Sequence, residues 1–313
     1  MSECFVGLDQ YVYTFGVFCK NQFGERLRKL TIDAKFTCPN RDGTLGKGGC
    51  TYCNVASFNH EHGTELSIQE QLDQGRERVA GRSSKYIAYF QAYTSTYDEY
   101  RVLKTKYDEA IKDPDIVGLC VGTRPDCVSD DVIELLASYQ DRGIEVWLEL
   151  GLQSAKDKTL KRINRGHLMA DYIDTVTRAR ARGIKVCTHL ILGLPDEEHQ
   201  DYLNSLNAVL AAGVDGLKLH PLHIVEGSTM AKAWRNDRMK LLTVEEYAYS
   251  VGEMIRHTPK DIIFHRVTAY AKKPMLLAPD WCAFRWNGLV AIVNDLKAKG
   301  EQGSYLISKL KVE

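Results

Sequence analysis

The chain has 313 residues, and its 41 Lys and Arg residues equal its 41 Asp and Glu residues, so its formal net charge at pH 7 is zero. This balance excludes a partner attracted by overall charge, and a polyanionic partner would have to bind a locally basic region. No stretch approaches the length of apolar sequence that spans a membrane, and the N-terminal segment lacks the charged start and apolar run of a signal peptide. We therefore predict one large α/β domain or two smaller ones, with no membrane span.

The nine cysteines are an odd number at irregular spacing, which is not typical of the disulfide framework of a secreted protein. A reducing compartment keeps such thiols free and protects thiolates that bind an oxygen-sensitive metal. We therefore predict a cytoplasmic protein.

Strand and helix patterns alternate along most of the chain. Apolar segments predict strands at 28–34, 86–90, 117–121, 145–150, 185–192 and 216–220. Amphipathic patterns predict helices at 67–79, 98–111, 130–142, 170–182, 200–212 and 244–257. This alternation predicts parallel strands joined by right-handed crossovers. Six units fall short of the eight that close a barrel, so the predicted fold class is α/β, a partial (βα)6 TIM-like barrel with its site at the C-terminal ends of the strands.

Two segments flank the predicted barrel, which spans residues 27–258. Residues 1–26 are rich in aromatic side chains and are predicted to be an N-terminal extension that covers an edge or end of the barrel. The alternation fades after Pro259, so residues 259–313 predict a C-terminal appendage with a helix near 284–299.

Three cysteines cluster between the first predicted strand and the first predicted helix. Cys38, Cys50 and Cys53 have the spacing C-x11-C-x2-C, and four glycines lie between the first two. Thiolates this close can reach one metal centre, and a glycine-rich backbone can approach the sulfur atoms and donate N–H bonds to them. Three thiolates suit a cubane iron–sulfur cluster that keeps one iron free of protein ligands.

Two other interpretations use the same loop. Cys50 and Cys53 could be half of a zinc site that His60 or His62 completes. A redox-active dithiol at Cys50 and Cys53 is disfavoured, because a third cysteine shares the loop and no predicted strand directly precedes the pair. The remaining cysteines form no second C-x2-C, which argues against an auxiliary cluster, and those in apolar strands are expected to pack as small hydrophobic residues.

The cysteine motif resembles that of radical S-adenosylmethionine (SAM) enzymes, and the resemblance extends over residues 30–221. The long first gap departs from the common C-x3-C-x2-C spacing and is similar to a small bacterial family related to the elongator-type catalytic subunit. The barrel motifs also resemble those of oxygen-independent coproporphyrinogen oxidase. The resemblance implies that the three cysteines bind a [4Fe–4S] cluster and that Tyr52, directly before Cys53, packs near the adenine of SAM.

The resemblance also implies the chemistry. The amino and carboxylate groups of SAM bind the open iron, and the reduced cluster breaks the S–C5′ bond to give methionine and a 5′-deoxyadenosyl radical. This radical abstracts a hydrogen atom from the substrate. A donor such as a flavodoxin or ferredoxin would supply the electron.

Motifs at the strand ends resemble the SAM contacts of these relatives. Gln153 and Arg165 have the spacing of a glutamine that holds the ribose and an arginine that holds the SAM carboxylate, which an arginine fork fits. The segment HLILGLP resembles the adenine-side motif, which assigns Gly193 to the adenine and His189 to the ribose. Thr94 ends a segment that stands where relatives have a glycine-rich contact to the SAM amino group.

Three of the inward-facing candidates need further comment. Arg165 could instead be a solvated cation at a helix end, and His189, which stands where relatives have an aspartate, could be a hydrogen-bonded core residue. Glu149 lies on the fourth predicted strand, and an acid buried inside the barrel would need a ligand or a cation.

The elongator-type relationship implies tRNA as the substrate, with chemistry on the side chain of the wobble uridine. Basic residues gather near both ends of the chain, at Lys20, Arg26, Arg28, Lys29, Lys35, Arg266, Lys272, Lys273, Arg285, Lys297, Lys299, Lys309 and Lys311. Aromatic residues that could stack on unpaired bases lie among the second group, at Tyr270, Trp281, Phe284 and Trp286. A small molecule such as a tetrapyrrole is the alternative substrate, and a non-enzymatic zinc-bound RNA-binding module is the alternative outside enzymes.

Overall fold

The structure, a computed structural model, describes residues 7–54 and 65–309. The strands in these ranges are β1 (Arg28–Ile32), β2 (Tyr86–Phe90), β3 (Ile116–Thr123), β4 (Glu145–Gln153), β5 (Lys185–Leu192), β6 (Gly216–Pro221), β7 (Ile224–Val225), β8 (Ile263–Arg266) and β9 (Leu276–Ala278). The α-helices are α1 (Phe15–Phe23), α2 (Pro39–Asp42), α3 (Ile68–Arg78), α4 (Tyr100–Ala110), α5 (Asp130–Asp141), α6 (Asp157–Arg162), α7 (Met169–Ala181), α8 (His199–Ala211), α9 (Thr229–Arg235), α10 (Val244–Arg256), α11 (Asn287–Lys299) and α12 (Ser304–Lys309). No helix within the described ranges has the length and apolar character that crossing a membrane requires.

Seven parallel strands form the main sheet, in the order β1-β2-β3-β4-β5-β6-β8. Strands β1 and β8 are its two edges, yet Lys29 Nζ on β1 lies 3.1 Å from His265 Nδ1 on β8. The sheet therefore curls toward closure without pairing its edges. This architecture confirms the predicted α/β fold with a partial TIM-like barrel.

The sheet has one strand more than the six that the sequence patterns predicted. The seventh strand, β8, pairs in parallel with β6 and lies in the segment that was expected to form a C-terminal appendage. It is only four residues long, and two of these, His265 and Arg266, are polar. Because so short a segment lacks a clear apolar run, local pattern alone does not reveal it. The predicted boundaries at 26 and 258 stay predictions.

Side chains on β4 show how the barrel wall is built. Leu148 and Leu150 are fully buried in the main core, which lies between the sheet and the surrounding helices. Trp147 packs in a separate cluster, and Glu149 and Gly151 line a cavity inside the barrel. This alternation follows from the two-residue period of a strand, and it places every second residue where chemistry can occur.

The N-terminal helix α1 closes the barrel at the end away from the strand C-termini. Its aromatic residues Phe15 and Phe18 meet the Trp147 ring edge-on, with ring centroids 5.8 and 5.7 Å apart. Cys120 and Cys187 are fully buried in the same apolar cluster. The expected packing of strand cysteines as small hydrophobic residues is thus observed, and the extension covers an end of the barrel.

Local capping signals fix the ends of the surrounding helices. Ser67 and Glu70 form a reciprocal capping box at the start of α3, and the hydroxyl of Ser129 accepts a hydrogen bond from the N–H of Val132 at the start of α5. Gly143 follows α5 with φ 83°, a conformation that favours glycine and lets the chain turn into β4.

Candidate active site

A cavity of about 780 Å³ opens at the C-terminal ends of the strands. Its lining includes Cys38, Cys50 and Cys53 together with His220 and Arg266. The volume lies in the upper part of the range of roughly 300–1,000 Å³ that is usual for small-molecule sites. The position matches the expectation that the site lies at the mouth of the barrel.

Backbone hydrogen bonds hold the cysteine loop in place. The short helix α2 begins directly after Cys38, and the N–H of Cys53 donates to the carbonyl of Cys50 at 3.0 Å. The side-chain amide of Asn164 donates to the carbonyl of Gly49 at 2.8 Å, which ties the loop to the segment after α6. All three thiols are free, so the sequence of C-x11-C-x2-C folds into a loop that turns its sulfur atoms toward one cavity.

Three nitrogen donors approach the sulfur atoms. Asn40 Nδ2 lies 3.6 Å and Arg165 Nη1 lies 3.5 Å from Cys50 Sγ, and Arg41 Nη1 lies 3.8 Å from Cys53 Sγ. Burial raises the pKa of the Cys50 thiol, but the charge and hydrogen bond of Arg165, together with Arg124 and Asn40, outweigh it, and the pKa lies below its usual value. Donors of this kind stabilise thiolates that bind a metal, so the residues fit a cluster with three cysteine ligands.

Arg165 is buried in the cavity wall, with 6% of its surface exposed. Its Nε and Nη2 atoms donate to the carbonyl of Gly151 at 3.1 and 2.6 Å. An ideal Cβ on Gly151 would lie 2.8 Å from both Arg165 Nη2 and Gln153 Nε2, so a larger residue here would displace these two side-chain ends. The interpretation of Arg165 as a solvated helix-end cation is therefore wrong, and its guanidinium is held beside Gln153 at the cavity.

Thr94 and Tyr52 line the same cavity. Thr94 is 1% exposed, and its hydroxyl has no hydrogen-bond partner within the parts of the chain that the structure describes. A buried hydroxyl without a partner is costly unless a ligand satisfies it, so Thr94 fits a polar group of a bound cofactor. Burial, followed by the neighbouring charge of Cys50, raises the pKa of Tyr52 well above its usual value, so this ring stays neutral beside the cysteines.

His189 and Gly193 differ in position. His189 lines the cavity, but its Nε2 atom lies 2.9 Å from Glu149 Oε2. Burial lowers the pKa of His189 to about 4, so it is a neutral hydrogen-bonded side chain at neutral pH. Gly193 has φ 92° and donates its N–H to the Tyr202 hydroxyl at 3.1 Å, and it is not among the described residues that line the cavity.

Glu149 is the centre of a charged cluster on the floor of the cavity, and none of its surface is exposed. Its carboxylate oxygens lie 2.5 Å from Lys29 Nζ and 2.7 Å from Lys218 Nζ, and the rings of His189 and His265 also contact it. A buried acid at this position was expected to need a cationic partner, and Glu149 has two, Lys29 and Lys218. Burial lowers the pKa of Lys218 to about 8. The charge of Glu149 raises this pKa, but the charges of Arg266 and Lys29 oppose it.

The rim of the cavity carries aromatic and basic side chains. Arg285 lies over the rings of Tyr270 and Trp286, with its Cζ atom 5.7 and 5.1 Å from the ring centroids. All three residues line the cavity together with Lys272, and Tyr270 and Trp286 are exposed. The rim therefore offers exposed ring faces beside positive charge.

Several basic residues near the chain ends are already paired with acids, contrary to the simple charge count. Arg26 contacts Asp9, Lys35 contacts Glu65 at 2.9 Å, Lys273 contacts Asp280 at 2.7 Å and Lys299 contacts Asp295 at 2.7 Å. Lys29 points into the barrel floor. His60, His62, Cys4 and Lys311 lie outside the described residues.

Comparisons with known proteins identify the family. A model of the radical SAM superfamily matches residues 41–209, more than half of the chain, and a model of the radical SAM C-terminal domain matches residues 214–298. The chain belongs to the radical SAM superfamily. It is an enzyme of this class, whose cofactors are a [4Fe–4S] cluster and SAM, and a non-enzymatic zinc-bound module is set aside.

Individual relatives add detail. The YhcC protein of Escherichia coli K12 is 54% identical over 299 residues, which are 96% of this chain and 96% of that protein. A tRNA uridine(34) acetyltransferase of Dehalococcoides mccartyi is 32% identical over 125 residues, 39% of this chain and 26% of that protein. The structure of archaeal Methanocaldococcus infernus Elp3 with an N-terminal deletion has a TM-score of 0.62 at 18% identity and covers 87% of this chain and 63% of that chain, which shows a shared fold.

Sequence reasoning did not find the partners of Glu149 or a role for Arg266. Lys29, Lys218 and His265 come from three different strands, and only the inward register of each strand could have indicated them. That register was available for β6, where Lys218 interrupts an apolar run, but the strand that carries His265 was not predicted.

Proposed function

We propose that this radical SAM enzyme modifies a nucleotide of tRNA, with the side chain of the wobble uridine as the best candidate. The observation that carries the proposal is the rim of the cavity, where Arg285 lies over the rings of the exposed residues Tyr270 and Trp286. Aromatic faces stack on unpaired bases of any sequence, and an adjacent guanidinium or ammonium group can contact phosphate. An anticodon base is already unpaired, so its entry into the barrel costs little stacking energy.

The cofactor contacts are part of the proposal. Cys38, Cys50 and Cys53 hold the cluster, and Arg165 holds the SAM carboxylate next to Gln153. The neighbouring contacts are Tyr52 beside the adenine, Thr94 at the amino group and His189 on the ribose side. Gly193, which the resemblance assigned to the adenine, is left out of this set because it does not line the described cavity. The orphaned hydroxyl of Thr94 and the fixed pair of Gln153 and Arg165 support these roles.

The cluster and SAM, when bound, supply a 5′-deoxyadenosyl radical that can abstract a hydrogen atom. The chain's own side chains hold and shield the site. Asn40, Arg41 and Arg165 donate N–H groups to the sulfur atoms, and the α1 aromatic cluster closes the far end of the barrel to water. Glu149 and its lysines form a fixed charged floor below the cavity.

The printed name of one relative supports a tRNA substrate. The Dehalococcoides mccartyi protein is named for tRNA uridine 34, and its matched segment covers part of this chain. An electron donor such as a flavodoxin or ferredoxin, and a cytoplasmic location, belong to the same proposal. A small molecule such as a tetrapyrrole is the alternative substrate, since the cavity alone has the volume of a small-molecule site.

Deletion of the gene should remove or change one modified nucleoside in total tRNA, and mass spectrometry of tRNA from cells with and without the gene measures this. Purified protein should bind tRNA with an affinity that falls steeply as salt is added. Charge reversal of Lys272 and Arg285 together should weaken binding to every tRNA alike, because phosphate contacts carry no sequence information. Two lost contacts to single-stranded phosphates reduce the slope of log affinity against log salt by about 1.4.

Lys112→Glu is the matched control, because Lys112 is an exposed residue shortly before β3, at the end of the sheet opposite the cavity. It should leave the salt slope unchanged. Unchanged nucleosides in the deletion strain, together with no tRNA binding at low salt, would show that the substrate is a small molecule.

A further inference from the structure

Arg266 is a cation without a counter-ion on the wall of the cavity. It ends β8 and is half-buried, and its side chain makes no hydrogen bond or ion pair with any residue in 7–54 or 65–309. Arg41, Arg124 and Arg165, which also line the cavity, have hydrogen-bond or ion-pair partners, and Arg285 at the rim lies over two aromatic rings. Arg124 is paired with Asp126, and Arg165 contacts Gly151 and Cys50.

The acid inside the cavity cannot neutralise Arg266. Glu149 is the one acidic side chain among the described residues that line the cavity, and it contacts two lysines and two histidines. A guanidinium in a partly closed cavity loses solvation, and this loss is offset only when an anion approaches it. The charge arrangement therefore leaves room for one further negative group at Arg266.

A second observation in the same cavity points to a ligand. His223 lines the cavity, and its Nε2 atom is buried without a hydrogen-bond partner among the described residues. Its ring meets that of His220 with the centroids 4.6 Å apart. Burial, followed by the charge of Arg266, lowers the pKa of His223 to about 4, so the ring is neutral near neutral pH.

We propose that Arg266 and His223 form a subsite for an oxyanion, a carboxylate or a phosphate group, on the molecule that reacts beside SAM. A guanidinium binds two oxygens of such a group in its planar fork, and the unpartnered nitrogen of His223, in the lining of the same cavity, can donate or accept a further hydrogen bond. Arg165, on the side of the cavity that carries the cysteines, is left for the SAM carboxylate. The subsite sets a requirement on the substrate: it carries a negative group a fixed distance from the atom that loses hydrogen.

The inference rests on one part of the proposed function, namely that the cavity binds a substrate in addition to SAM. It does not depend on tRNA. An oxyanion on a small metabolite and an oxyanion on a tRNA nucleotide present the same chemistry to Arg266, and binding of a simple anion by the purified protein tests the subsite without either.

The test is thermal unfolding of anaerobically reconstituted protein with saturating SAM, titrated with inorganic phosphate or with acetate at constant ionic strength set by sodium chloride. At least one of the two probes should raise the unfolding midpoint saturably, as a ligand that binds the native state does. Arg266→Gln should weaken that probe at least about tenfold, the loss expected for one charge-assisted contact. Arg266→Lys keeps the charge and loses the planar guanidinium, so its affinity for the probe should lie between those of the wild type and Arg266→Gln.

Two controls make the result specific. Lys112→Gln removes one exposed cation at the end of the sheet opposite the cavity and should change the probe affinity less than twofold. Calorimetric titration with SAM should give equal affinities for wild type and Arg266→Gln and a lower affinity for Gln153→Ala. The preferred probe identifies the oxyanion: stronger stabilisation by phosphate indicates a phosphate group, and stronger stabilisation by acetate indicates a carboxylate.

Three results would each overturn the subsite. The first is that neither probe stabilises the wild type saturably, and the second is that Arg266→Gln binds the probe as well as the wild type does. The third is that Arg266→Gln loses affinity for SAM, which would assign Arg266 to the SAM carboxylate. A tRNA pool without changes in the deletion strain would remove the proposed tRNA substrate and leave the subsite standing, so the two failures are distinguishable.

Discussion

Replacement of Cys50 by alanine abolishes cluster binding in anaerobically reconstituted protein, and Cys38→Ala and Cys53→Ala do the same. Each variant removes one of three thiolates that line a single cavity, and two thiolates cannot hold a cluster whose fourth iron has no protein ligand. Iron and sulfide analysis should fall to background, and the brown colour of the reconstituted protein should be lost.

The controls for this experiment are two other buried cysteines. Cys120 is fully buried and Cys282 is 1% exposed, and both lie in apolar clusters away from the cysteine loop. Their replacement by alanine should leave the iron and sulfide content unchanged, although each variant loses some packing. A Cys50→Ala protein with the iron content of the wild type would contradict the assignment of this loop.

The substitution Glu149→Gln should destabilise the protein by about 3–5 kcal/mol, as removal of one partner from a buried ion pair does. It leaves Lys29 and Lys218 in the barrel floor without a counter-charge, with 19% and 8% of their side chains exposed. The denaturation midpoint in urea, followed by tryptophan fluorescence, measures the loss.

Glu145→Gln on the same strand is the matched control. Glu145 is 8% exposed and contacts Lys185 at 2.8 Å, but the side chain of Lys185 is 37% exposed and regains water when the pair is broken. The control should therefore cost about 1 kcal/mol or less. The double variant Glu149→Gln/Lys218→Met should recover part of the loss, because it removes one unpaired cation. Equal losses for Glu149→Gln and Glu145→Gln would show that the floor is not a tightly coupled charge cluster.

The sequence predicted most of the barrel because its signals are local. A capping serine at position 129 and a glycine at position 143 bracket a predicted helix at 130–142, and the observed helix is Asp130–Asp141. The strand β8 was not predicted, because it has only four residues. Its pairing with β6 also depends on the curl of the whole sheet, which no local pattern shows.

The candidate site also has a part that local sequence predicts and a part that depends on the whole fold. The cysteine ligands were found because they lie within one loop, where spacing alone carries the signal. Glu149 and its cations are separated by 120 residues for Lys29 and 69 for Lys218, and no local pattern links them. The role of Arg266 depends on which acids are already paired, and that is a property of the folded structure alone.

For the basic residues near the N-terminus, the sequence predicted more than the structure shows. A count of charges suggested a binding surface there, but Arg26 and Lys35 contact acids, and Lys29 lies inside the barrel. A charge count cannot distinguish free cations from paired ones. Lys272 and Arg285 at the cavity rim are the part of that expectation on which the tRNA proposal rests.

The assignment of this cavity to radical SAM chemistry is tested most directly by 5′-deoxyadenosine formation. Reconstituted protein is reduced with dithionite in the presence of SAM and without substrate, and 5′-deoxyadenosine and methionine are measured by mass spectrometry. Wild-type protein should form the two products slowly and in equal amounts, and Cys53→Ala should form neither. A wild-type protein that carries its full iron, binds SAM and forms no 5′-deoxyadenosine would contradict the assignment.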